Sequence, residues 1–87
     1  MLAPVFIMIY AEVIFWSNDI KDLNVVLPFP PRVGENIEFP VGTVKYNNGA
    51  ELEERCFKIS NIDWVFMENS MTPKYKFQKL SIYVERP

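Results

Sequence analysis

Three prolines within four residues, Pro28, Pro30 and Pro31, limit what this chain can fold into more than any other feature. Each fixes φ near about −65° and removes a backbone donor, so residues 28–32 must run extended and cannot occupy a central strand. The segment is a connection. Gly34 follows with access to positive φ, Glu35 and Asn36 keep the turn polar, and Ile37 and Phe39 then alternate with Asn36 and Glu38. That alternation predicts a half-buried strand launched by the turn.

The remaining apolar segments read as strands arranged around this corner. Residues 5–16 are rich in β-branched and aromatic side chains. One face would carry Val5, Ile7, Ile9, Ala11, Val13 and Phe15, and the other Phe6, Met8, Tyr10, Glu12, Ile14 and Trp16. Both faces are apolar, whereas a single-layer barrel buries only one, so the second must be covered by another part of the chain or by another molecule. The run has no Lys or Arg before it, Glu12 interrupts it, and it is too short for a spanning helix. A buried strand is therefore expected in place of a signal or membrane anchor.

Residues 17–22 form a polar turn, and 23–27 a second strand, which predicts a hairpin with a loop of four to six residues. Pro40 and Gly42 break the next ladder, and Asn47-Asn48-Gly49 predicts a second hairpin beginning at residues 43–46. Between residues 51 and 67 the alternation slips by one at Ser60-Asn61, as a β-bulge would require. The bulge would put Phe57, Ile59, Ile62, Trp64 and Phe66 on one face. Leu52 to Arg55 can alternatively start a helical turn, since Glu51, Glu53 and Glu54 suit a helix N-terminus. After a loop at 68–73, residues 75–85 make the last strand, with Leu80, Ile82 and Val84 inward, Lys79, Ser81, Tyr83 and Glu85 outward, and Phe77 out of phase.

The proline-arginine-x-glycine-acidic run (Pro31, Arg32, Gly34, Glu35) precedes an alternating strand, and Phe57, Ile59, Ile62 and Trp64 follow later. In these features the chain resembles small SH3-like β-barrel proteins of bacteria and their phages over roughly residues 28–85. It departs from that pattern by inserting residues 40–54 between two strands. The resemblance implies a phage or mobile-element setting, where such proteins serve as assembly parts or as inhibitors of a host machine. It carries over no functional residue. With 87 residues, nearly half of them hydrophobic, the expected fold is all-β: one small SH3-like barrel or tight sandwich of five to six strands spanning residues 1–87.

The absence of histidine removes the commonest general base, the Ser-His and Cys-His pairs and most zinc sites. One cysteine rules out an internal disulfide and thiolate clusters, and suits a reducing, cytoplasmic location. Three separated glycines make no phosphate loop. Glu51, Glu53 and Glu54, and the pair Asp63 and Glu68, read as solvated faces ahead of acid-base or cation sites. Cys56 beside Phe57 reads as a small buried hydrophobe ahead of a reactive thiol. Neither catalysis nor a cofactor or metal is expected.

A protein-interaction domain, self-associating or binding a partner, fits these features best, with Tyr10, Trp16, Phe29 and Tyr83 as candidate surface residues and core packing as their alternative role. A second reading is a single-stranded nucleic-acid binder using Lys74, Tyr75, Lys76 and Lys79, where lysines alternate with aromatics. Alternation splits them across two faces, and a net charge of −2 opposes a general polyanion binder. A third is a small-ligand barrel with Arg32 as an anion clamp, although an ion pair with Glu35 would also account for Arg32. The nucleic-acid reading has its own test. On that reading Lys76→Glu with Lys79→Glu abolishes oligonucleotide binding and wild-type binding weakens steeply with salt; a wild type that binds nothing at low salt ends it.

Overall fold

The computed structural model describes residues 8–68 and 75–87. The strands are β1 (Ile9–Ile14), β2 (Leu23–Leu27), β3 (Asn36–Glu38), β4 (Cys56–Glu68) and β5 (Tyr75–Glu85). They form one sheet in the order β2-β1-β5-β4-β3, curled into a half-barrel, and the described residues contain no helix. The expected all-β architecture is therefore present, with five strands. The expected strand positions Val5, Phe6 and Ile7, most of the 68–73 loop, and Lys74 lie outside the described residues.

β1 runs antiparallel to β2 and parallel to β5, with Ala11 opposite Leu80 and Val13 opposite Ile82. A parallel pair cannot be closed by a tight turn, so the intervening chain must leave and return. Alternation then sets the core: Ile9, Ala11, Val13 and Phe15 of the first segment and Leu80, Ile82 and Val84 of the last are buried, as expected. Phe57 is fully buried among them. Its ring lies 5.2 Å from Phe15 in an edge-on contact and 6.2 Å from Phe39, geometries that add to simple area burial. Ser81, expected outward, is buried as well, 5% exposed, between the neighbouring strands.

The pairing of β4 with β5 skips Ser60, between Ile59↔Val84 and Asn61↔Tyr83, which is the expected bulge. The Ser60 hydroxyl donates to the Tyr83 carbonyl at 3.1 Å and pins it. A second irregularity was not expected. Val65 pairs with Lys79 but Phe66 pairs with Phe77, leaving Gln78 as an extra residue, which accounts for the phase of Phe77.

The proline segment is a connection, ending in a turn at Gly34 with φ +94°. Two local expectations are corrected and a third is met in reduced form. Residues 15–22 make the first hairpin loop longer than four to six residues, because Phe15 and Ile20 dip into the core from within it. The second hairpin is minimal: one bridge, Lys45↔Glu51, with the Tyr46 N–H donating to the Ala50 carbonyl at 2.7 Å. Leu52–Arg55 is not helical, since the Leu52 N–H donates to Val44 at 2.9 Å and its side chain is buried.

The insertion at 40–54 is stitched to the first loop. A bridge joins Ile20 to Tyr46, the Lys21 N–H donates to Lys45 at 2.9 Å, and the Asn47 side chain donates to the Asn18 carbonyl at 2.8 Å. Val44 and Leu52 thereby join the core. Phe57→Ala should cost about 3–5 kcal/mol in denaturant unfolding, whereas Val41→Ala, at a site 73% exposed, should stay within about 0.5 kcal/mol. Similar losses at both positions would contradict this core.

Candidate functional site

The outward face of β1 is set by the same alternation that builds the core. Tyr10 lies opposite Val26 and Glu12 opposite Asn24 on β2, while on β5 Glu12 is opposite Ser81 and Ile14 opposite Tyr83. Tyr10 is 62% exposed and Val26 49% exposed, and Met8 is also exposed. Tyr10, Glu12, Asn24, Val26 and Lys79 line a shallow groove of ≈ 360 Å³.

Its polar end is an ion pair. The Lys79 Nζ donates to Glu12 Oε2 at 2.7 Å across the parallel strands. The Lys79 ammonium holds the Glu12 carboxyl below its usual range, against a smaller opposing effect of burial. Asp22 is pushed upward, first by the loss of water around its carboxyl and then by the hydrogen bond and charge of Glu12, against a smaller lowering by Lys79. Glu12 in turn raises Lys79. The Lys79–Glu12 pair thus lies in the wall of the groove, beside Tyr10, Asn24 and Val26, with Asp22 close to Glu12 but outside the lining.

The other candidate residues sit elsewhere. Trp16 is 39% exposed and engaged within the chain: its ring is 5.8 Å from Phe57, and the Arg86 guanidinium lies 4.9 Å from its centroid. Arg86 also pairs with Glu54 at 3.1 Å. Tyr83 is half-buried, on the same outward face as Tyr10 but at the far end of β5. Phe29, 70% exposed, shares a second depression with Pro30, Pro31, Arg32 and Glu35. Glu35 accepts the Arg32 backbone N–H at 2.5 Å, and among the described residues no ion pair joins the two side chains. Tyr75 pairs with Glu68 in register and Lys76 with Met67.

Asn24, Val26 and Glu12 belong to the groove but were not singled out by sequence. In Leu-Asn-Val-Val-Leu two adjacent valines leave the outward one ambiguous until the turn length is known. Trp64 and Phe66, expected on the core face, are 49% and 57% exposed, Trp64 even though its partner on β5 is the fully buried Leu80. Asp63 is exposed, and Cys56 is a half-buried free thiol. Among the described residues, no group of three or more Cys, Asp or Glu is placed to hold a metal ion, and no helix is long and apolar enough to cross a membrane. Compared with family models, curated proteins and solved structures, the chain matches none.

The ion pair has a defined pH signature. Glu12 titrates lower when folded, so its contribution is complete above the unfolded carboxylate range and is lost as pH falls through the folded value. Lys79 titrates higher when folded, so its contribution is present below the ordinary lysine range and is lost above it. Asp22, raised, acts in the opposite sense to Glu12 and stabilises at low pH. Glu12→Gln should therefore lower the melting temperature most near neutral pH. The gap to wild type should narrow on acidification through the carboxylate range and again above about pH 10. An equal gap at all pH values would contradict the pairing.

Proposed function

We propose that this chain is a non-catalytic protein-interaction domain that works through the outward face of β1 and its neighbour β2. The observation that carries the reading is the exposure of Met8, Tyr10 and Val26, with Tyr10 and Val26 paired across adjacent strands beside a groove. Large apolar side chains at paired positions on a solvent-facing sheet surface mark a place where another molecule excludes water. Tyrosine suits such a site because its ring supplies area at small conformational cost while its hydroxyl tolerates water.

Phe29, exposed in a separate depression on the proline turn that follows β2, is a second candidate contact, whereas the internal contacts of Trp16 favour its packing role. Lys79, one of the cations on which a nucleic-acid surface would depend, is held by Glu12, which favours protein over nucleic acid as the partner. We place the domain in a reducing, cytoplasmic setting because its single cysteine is unpaired. The barrel resemblance suggests a phage or mobile-element role in assembly or in inhibition of a host machine.

Tyr10→Arg puts a charge at the centre of this surface without touching the core. It should lower the mass of the assembly in solution, or release the bound protein, while the circular dichroism spectrum is retained. An unchanged and folded assembly would remove Tyr10 from the interface.

A further inference from the structure

The core is unevenly closed. Ile9, Ala11 and Val13 on β1 are 6%, 4% and 0% exposed, but their register partners Leu27, Val25 and Leu23 on β2 are only partly buried, although they pack on the same cluster. β2 ends the strand order, and among the described residues no strand lies on its outer side. Sheet edges are commonly shielded by a charge, a proline or a bulge. The five residues Leu-Asn-Val-Val-Leu contain no charge and no proline, and they pair with β1 in unbroken register.

We infer that β2 pairs antiparallel with β2 of a second copy of this chain, centred on Val25. The occupant follows from the strand's own sequence and charge. In that register Leu23 meets Leu27 of the second copy, Val25 meets Val25, and Asn24 meets Val26, so apolar residues on the core side cover one another. The flanking charges are also compatible: Asp22 falls opposite Pro28 and Lys21 opposite Phe29, so no like charges oppose each other although each chain carries a net −2. The missing N–H of Pro28 falls just past the strand, where the ladder ends. On the outward face the row Tyr10–Val26 of one copy continues into Asn24–Glu12 of the other, joining the two grooves. The inference rests on the interaction reading and names its partner and geometry.

Sedimentation velocity of the full chain across a wide concentration range tests it. Wild type should show a monomer–dimer equilibrium. Asn24→Lys with Val26→Lys changes two exposed positions, so the fold should survive by circular dichroism. It places lysines opposite lysines twice and should weaken dimerisation about tenfold or more. Asn24→Lys with Val26→Glu places opposite charges in the same two pairs and should restore the wild-type midpoint or tighten it. A wild type that stays monomeric overturns the inference; if a different protein is then released by Tyr10→Arg, the interaction reading stands alone. A dimer indifferent to the double lysine but broken by Tyr10→Arg also overturns the edge pairing and leaves that reading in place. A monomer with no partner lost on Tyr10→Arg ends both.

Discussion

The parallel pairing of β1 with β5 is the constraint on which the rest of the molecule depends. It puts the first and last described strands side by side in the sheet, so the chain between them has to supply both flanks: β2 beside β1, and β4 with β3 beside β5. It also aligns Ala11 and Val13 with Leu80 and Ile82, the centre of the core, against which Phe57 closes. The Lys79–Glu12 bridge crosses the same pair on the outward face. A partly exposed ion pair adds little stability, but its position marks the register that the core requires.

Because β1 is interior in the sheet and the insertion at 40–54 is drawn onto the concave side, the core is well covered there and thin at β2. Phe39, Val44 and Leu52 complete the concave side, tied down by the bridge from Ile20 to Tyr46. Among the described residues nothing gives the convex side comparable cover over Tyr10 and Val26, and β2 carries no charge. The apolar excess visible in the first strand is thus relieved on one face and left at the surface on the other. Surface apolarity of this kind is tolerated when a partner covers it. The functional reading follows from that imbalance, not from any catalytic group.

Local rules carried much of the fold. Alternation from Ile9 to Phe15 identified the inward face, the prolines identified the corner, and the slipped phase at Ser60-Asn61 identified the bulge. What escaped them was long-range. The extra residue at Gln78 leaves only an indirect local trace, Phe77 out of phase with Leu80, Ile82 and Val84, which does not say where along the strand the slip occurs. Trp16 reads as an exposed aromatic until Arg86, distant in sequence, stacks on it. Trp64 lies in phase with the core face, yet alternation reports a face and not how deeply a position on it is buried. Within the groove, Tyr10 and Lys79 were each singled out, but their meeting depends on the parallel register that no local pattern encodes.

The central claim is that a second copy of this chain covers the β2 edge. Amide hydrogen exchange of residues 23–27, followed at low and high protein concentration, addresses it directly. The account predicts that exchange in this segment slows as concentration rises while residues 80–84, already inside the sheet, stay unchanged. Identical exchange of residues 23–27 at every concentration would contradict it.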